Sequence, residues 1–463
     1  MGWIALLYSF CLIGAAYYFT WRKRSDLETF YNAQRKGRWG WVAFSMVGTA
    51  TSGLTFLSLP GSVQQDGWTY LQVLAGYLVG YVGVAYILLP LYYQMSGASI
   101  YEFFWYRLGS SAEKVAALIF LISRLLASSV RLYLTLLALH AFFPQTAFAA
   151  LSLLSLLLIY VYAERGGTGT IIYTDVVQTV ALLGAALLTI SYLSMPATWE
   201  AFNIPKIVDT TIGSKHFVWK DFLGGVLIAF TMTGLDQDQM QKSFSMSSLG
   251  QAQRMILLYA GLLVPVKLLF LTLGSLMWAY VSVHGLAVPV RSDALYSELA
   301  QKVFPLGIGG LFVIGLISAT LSSVDGAVIA LTTVTLRNLL PAGYETVCFK
   351  RGVFWFWLLM SWFVTLYFHA YPPESHALGA FLKLGSYTYG PLLGLFVFAL
   401  WRRRFSADHR WVVWVVPLSF LITVGTEQAC QWDLGYGVIL WIAGGTFVGL
   451  LVAALVADRV RGT

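Results

Sequence analysis

The sequence predicts an all-α polytopic membrane protein with about 13 transmembrane helices. Three observations predict it. The 463-residue chain is 58% hydrophobic and only 11% charged, whereas soluble proteins carry about 25% charged residues. Apolar runs of about 18–30 residues recur along the chain, and a helix needs about 20 apolar residues to cross a bilayer. The basic residues concentrate in every second connection between those runs.

The runs fall near 3–21, 40–60, 68–94, 115–143, 146–163, 170–194, 222–240, 254–284, 305–336, 352–370, 376–401, 411–428 and 433–457. The first is too long for a signal-peptide core and no small-residue cleavage site follows it, so it reads as a retained helix. Gly and Pro recur inside the runs, as membrane helices allow when neighbours satisfy the backbone. The longest stretch between runs, 195–221, is rich in Pro, Thr and Lys. No Gly-rich phosphate loop ending in Lys-Ser or Lys-Thr occurs, so nothing in the chain points to ATP-driven chemistry. Cys11, Cys348 and Cys430 lie far apart, with neither metal spacing nor a disulfide framework.

One set of connections holds twenty basic residues, including Arg22, Lys23, Arg24, Arg35, Lys36, Arg38, Lys242, Arg254 and Arg402 to Arg404. The opposite set holds five: Lys206, Lys215, Lys220, Arg291 and Lys302. The positive-inside rule puts the first set in the cytoplasm, the N-terminus outside and the C-terminus inside. The net charge of +8 is thereby spread over loops facing the membrane surface, and no nucleic-acid partner is expected. The expected partners are the lipid bilayer and a small-molecule substrate, with no obligate protein partner evident. The compact chain without a long glycosylated loop suggests a bacterial inner membrane.

Polar residues inside the spans carry the functional reading. The segment LFVIGLISATLSSVDGAVIALTTV (311–334) is long enough to span, yet holds Ser322, Ser323 and Asp325. Ala319, Ser322 and Ser323 stand at i, i+3 and i+4 and share one helix face. Two hydroxyls and a loosened carbonyl there make an oxygen cage for a small hard cation; helix packing and back-bonding to a preceding carbonyl is the alternative. Residues 48–53, Gly-Thr-Ala-Thr-Ser-Gly, are small and weakly helical at mid-membrane, where unwinding exposes carbonyls to a cation and regular packing does not. Asp175 and Gln178 lie one turn apart on one side of a helix. Asp175 fits a cation ligand, a proton relay or the partner of a membrane Arg or Lys. Asp236 and Asp238 sit toward the end of the seventh span, where Asp238 reads as solvated at the interface. Arg124 and Arg131, two turns apart, suit ion pairing with Asp175 or Asp325, or recognition of a substrate carboxylate. Lys267 and Lys383 also fall within spans, the latter buried or snorkelling.

Several of these segments together resemble the sodium/solute symporter family, which includes sodium–sugar, sodium–proline and sodium–sialic acid carriers. Ser52-Gly53 and Leu59-Pro60-Gly61 match its proline-carrier segment, with Gly48 where the family has Ala. Ala319-x-x-Ser322-Ser323 matches its sodium-site helix. Gly166, Gly167, Thr174, Asp175 and Gln178 match a third motif, and Asp236, Gln237, Gln241 and Lys242 a fourth. The likeness runs over about 40–400.

The resemblance implies an inverted five-helix repeat core of the amino-acid-transporter type. The repeats would be 40–194 and 222–401, with 1–39 accessory, 195–221 a periplasmic loop and 402–463 two accessory helices. It implies a sodium ion as coupling cation, held by the carbonyls of Gly48, Thr51 and Ala319 and the hydroxyls of Ser322 and Ser323. Asp175 would lie on the sodium exit path. Sialic acid carriers use the matching Asp in a second sodium site with serines that correspond here to Asp325 and Gly326, so Asp175 and Asp325 mark a second site or the exit path. Ser52, Thr55, Gln72, Arg124, Arg131, Asp236 and Lys383 are the candidate substrate-binding residues. The glutamate, Asn and Gln of sugar carriers fall at Leu74, Ala50 and Thr55, which disfavours a glucose-type or galactose-type pocket, while the buried basic residues favour an organic anion such as a sialic acid. The function implied is sodium-coupled secondary active uptake by alternating access. Proton coupling through Asp175 and Asp325, or a sodium-coupled sugar or amino-acid carrier, are the alternatives. An embedded enzyme is disfavoured, since the six histidines show no metal-ligand spacing and no span carries a nucleophile–base pattern.

Overall fold

A computed structural model describes residues 2–20, 26–95, 98–204, 206–288, 291–372, 377–402, 410–430 and 437–461, without the side chains of residues 20, 54, 342, 377–384 and 458–461. All regular elements among the described residues are helical. The long helices are α1 (Gly2–Thr20), the pair α2 (Trp39–Ala50) and α3 (Gly53–Asp66), α4 (Tyr70–Tyr93), α5 (Ser110–His140), α6 (Phe148–Gly166) and α7 (Thr168–Leu193). After the 195–217 connection come the pair α8 (Val218–Met232) and α9 (Gln237–Ser243), then α10 (Leu249–Val283), α11 (Leu306–Leu339), α12 (Val347–Ala370), α13 (Ala377–Trp401), α14 (Val412–Ala429) and α15 (Val438–Arg461).

Among the described residues, 10 helices are long and apolar enough to cross a membrane, or up to 12 if each bent pair counts as one span. The remaining apolar run, 376–401, coincides with the 25-residue α13. Each expected span therefore has a helical counterpart, with ends displaced by a few residues.

The two bent pairs set the architecture. α2 and α3 meet at 60°, and α8 and α9 at 70°. The first break falls at Thr51 and Ser52, within the small-residue run, where Ser52 is extended (φ −65°, ψ 167°). The second falls at Thr233–Asp236, where Asp236 is extended and its carboxylate caps α9 by accepting from the amides of Asp238 (2.8 Å) and Gln239 (3.3 Å). The sequence led us to expect the first break and not the second.

α11 is the central post. It is buried along nearly its whole length and packs against α2, α5 and α7. That explains why apolar and small residues occur on all its sides, since a helix surrounded by protein has no lipid or water face to distinguish. α4 and α8 lie in especially close contact. Gly76 and Gly225 let their backbones meet: a Cβ on Gly76 would come within 3.0 Å of the Gly225 Cα. Small residues permit such close approach where lipid supplies no hydrophobic drive between helices.

Candidate functional site

The first break sits against α11. Ser322 Oγ lies 3.4 Å from the Gly48 carbonyl, so the hydroxyl face of α11 meets the last turn of α2. Ala319, Ser322 and Ser323 are all buried. Ser323 here donates back to the Thr320 carbonyl at 2.9 Å, the local bond that competes with ligation. Thr51 turns out of the helix, its amide still bonded to the carbonyls of Val47 and Gly48. Its buried hydroxyl has no hydrogen-bond partner among the described residues. The last carbonyls of any helix lack intrahelical donors. Together with the serine hydroxyls they form a donor set of oxygens alone, the chemistry that suits a hard monovalent cation. Two stretches of chain that carry expected sodium ligands, the end of α2 and the middle of α11, thus meet at Gly48 and Ser322.

Asp175 on α7 is adjacent but already engaged. Its Oδ2 accepts from Lys242 Nζ (2.5 Å), Ser45 Oγ (3.0 Å) and Thr49 Oγ1 (3.2 Å). Lys242 also donates to Thr49 Oγ1. The sequence reading had put Lys242 in a cytoplasmic loop. It is buried on α9, a fully buried polar helix whose lack of apolar periodicity disguised it. Asp325 accepts from the Tyr162 hydroxyl at 2.7 Å and from the Gly326 amide at 2.6 Å.

The arginine expectations need correction. Arg124 pairs with neither Asp175 nor Asp325. It donates to Asp236 (3.3 Å) and to Asp238, and Tyr389 donates to the same Asp236 oxygen. Asp238 is therefore buried in an ion pair and not solvated at an interface. The physical reason is the second break, which folds α9 back into the bundle and carries both carboxylates to α5 with it. Arg131 lies two turns along α5, half-buried.

Lys267 on α10 is buried, its ammonium 3.5 Å from Thr55 Oγ1 and 5.8 Å from the centre of the Tyr70 ring. It lies within electrostatic reach of Arg131. A separate cavity of about 390 Å³ is lined in part by Ser58 on α3, Leu134 and Ala138 on α5, and Arg291 and Glu298. Ser52 stands at the break as the residue before α3. Gln72 is elsewhere: its amide holds the 195–217 connection through the His216 carbonyl (3.0 Å), Asp221 (3.3 Å) and the Asp209 amide (3.0 Å). The side chain of Lys383 lies outside the described residues.

Sequence reasoning missed Lys242 as a site residue and noted Lys267 only as a basic residue within a span. The available signal for both was a Lys inside, or at the end of, a stretch that must be buried.

Comparison with known proteins gives the family and the fold. The model of the sodium:solute symporter family matches residues 30–408. The sodium/sialic acid symporter NanT of Aliivibrio fischeri is 23% identical, over 100% of this chain and 94% of its own. The sodium/sialic acid symporter SiaT of Proteus mirabilis is 24% identical, over 87% of this chain and 84% of its own. A solved Na+-coupled sialic acid symporter in a substrate-bound, outward-open state superposes with a TM-score of 0.83, covering 97% of each chain at 20% identity, which shows a shared fold. With the family match spanning most of its length, this chain belongs to the sodium:solute symporter family and is a multi-pass membrane transporter, not an enzyme, that takes up a small solute with sodium.

Proposed function

We propose that this symporter carries a small organic anion, and that its coupling sodium sits between the α2–α3 break and α11. The ligands would be the carbonyls of Gly48, Thr51 and Ala319 and the hydroxyls of Ser322 and Ser323. The observation that carries the sodium assignment is the approach of Ser322 Oγ to the Gly48 carbonyl at the point where α2 ends.

The anion reading rests on Lys267. Its ammonium is buried beside Thr55 and makes no ion pair among the described residues. A buried cation without an acid is costly, and the carboxylate of a substrate would relieve it. Arg131, within electrostatic reach of Lys267, would add to the attraction. Arg124 and Asp236 are committed to each other, so in this reading they hold the second break in shape and do not touch substrate. The two relatives named for sialic acid carry an organic acid of this class.

In this account the two repeats are 40–194 and 222–401. The breaks support it, since they fall in the first span of each repeat, as an internally duplicated transporter core requires. Sodium would join α2 and α11, one from each repeat, and order the break that borders the substrate. Because binding free energies are reciprocal, sodium and substrate raise each other's affinity. Each sodium moving down a membrane potential of 100 mV contributes about 2.3 kcal/mol. In this reading the N-terminus lies outside and the C-terminus in the cytoplasm of a bacterial plasma membrane, which the concentration of basic residues in alternate connections supports.

The test is the double variant Ser322→Ala, Ser323→Ala in proteoliposomes. Sodium-driven uptake falls to background while the melting behaviour in potassium is unchanged. Full uptake in the double variant overturns the sodium assignment.

A further inference from the structure

Lys242 draws attention because its position duplicates that of an ion. Its ammonium sits among Asp175 Oδ2 and Thr49 Oγ1, and Ser45 Oγ donates to the same carboxylate oxygen. These oxygens come from α7 and α2, while the ammonium comes from α9 on the other repeat. Thr49 is the residue after Gly48, so the ammonium stands one residue from the proposed sodium ligand. Lys242 and Asp175 are both almost completely buried.

We propose that Lys242 is a resident counter-cation which fills a would-be second cation site at Asp175, so that one substrate crosses with one sodium. The inference rests on the sodium reading given above. A carboxylate in a low-dielectric core requires a positive neighbour, and the two oxygens that meet the ammonium, Asp175 Oδ2 and Thr49 Oγ1, are of the hard kind a small cation uses. Here the positive charge is covalently part of the chain. It cannot dissociate, so it contributes no ion flux. A free cation arriving at this point meets a neutral pair and an occupied position. Asp325, on α11, is engaged elsewhere, by the Tyr162 hydroxyl and the Gly326 amide.

Lys242 is thus a positioning and stoichiometry-setting residue. Its reach across the repeats also ties α9 to the end of α2, beside the break where sodium binds.

The experiment counts bound sodium by equilibrium dialysis of radioactive sodium against the purified full-length protein, at saturating sodium with potassium as the balancing ion. The unaltered protein binds one sodium per chain. Lys242→Met leaves the Ser45, Thr49 and Asp175 oxygens without their ammonium, and its count rises to two. The paired variant Lys242→Met, Asp175→Asn removes charge and counter-charge together, and its count stays at one. A count of two in the unaltered protein overturns the inference, as does a count of one in Lys242→Met that elutes as a folded monodisperse species. Loss of binding in the paired variant also overturns it, because Asp175 would then serve the coupling sodium. If Lys242→Met fails to fold, the unaltered and paired proteins decide. A count of zero in the unaltered protein refutes the sodium reading itself and is distinct from all of these.

Discussion

Gly48 has room for a hydrogen and for little else. A methyl group there would run into the Thr179 side chain and lie 3.2 Å from the Asp175 carbonyl. Thr179 is held in that position by its own bond to the Asp175 carbonyl at 2.6 Å. The family has Ala at this position; here the bulk of Thr179 on the facing helix takes up that space. Gly48→Ala should therefore destabilise the protein by about 1–3 kcal/mol, the range of overpacked cores, and weaken sodium binding. Thr179→Ala in the same chain should restore both, a non-additive pair that sodium titration of the melting temperature will reveal. Gly184→Ala, where an added Cβ meets nothing within 4 Å, is the neutral control. Much of this residue-scale pattern was legible. Ser322, Ser323 and Asp175 announced themselves as polar groups in segments that must be buried. Their partners did not, because Lys242 lies 67 residues from Asp175 and Arg124 lies 112 residues from Asp236. Sequence spacing orders residues along one helix and says nothing about which helix arrives opposite.

At the scale of elements, the spans were readable from hydropathy and the first break from a run of six small residues. The second break was not. Thr-Gly-Leu-Asp at 233–236 is short and sits inside an apolar run that continues to the eye, and α9 is polar on all sides. Its seven residues are buried by tertiary contacts, such as Gln241 to Thr168 (2.8 Å) and to Thr333 (3.1 Å), which no periodicity encodes. The 195–217 connection is a different kind of element, a strap latched over the ends of α3 and α4. His216 bridges Asp66 (3.0 Å) and Asp221 (3.1 Å), and Lys215 also reaches Asp66. Hydrogen bonds to Asp221 and Asp66 raise the His216 pKa from 6.5 to about 9. A raised pKa means the latch is at full strength below pH 6.5 and is lost as pH climbs through about 9. After allowance for solvent screening of this partly exposed group, the contribution is about 1 kcal/mol. Melting temperature should therefore fall between pH 7 and pH 10 in the unaltered protein and fall less in His216→Gln. Equal slopes for the two proteins would show that the latch does not titrate.

For the whole molecule, the proposed transport cycle has two parts: a sodium held where α2 stops against α11, and an anionic solute drawn to Lys267. The buried charges divide accordingly. Asp175 is paired with Lys242, and Asp236 and Asp238 with Arg124, whereas Lys267 makes no ion pair among the described residues and has the Thr55 hydroxyl and the Tyr70 ring beside it. Reciprocal coupling then requires that the solute bind tightly only when sodium has ordered the break. Lys267→Met should accordingly abolish solute binding while leaving sodium binding within a few-fold of the unaltered protein, a separation that isothermal titration of each ligand can measure. The most direct measurement is the thermal stability of the purified protein against sialic acids, small carboxylates, amino acids and neutral sugars, each in sodium and in potassium. The account predicts that a carboxylate-bearing solute raises the melting temperature in sodium and leaves it unchanged in potassium. Equal stabilisation in both salts, or stabilisation by a neutral sugar alone, would contradict it.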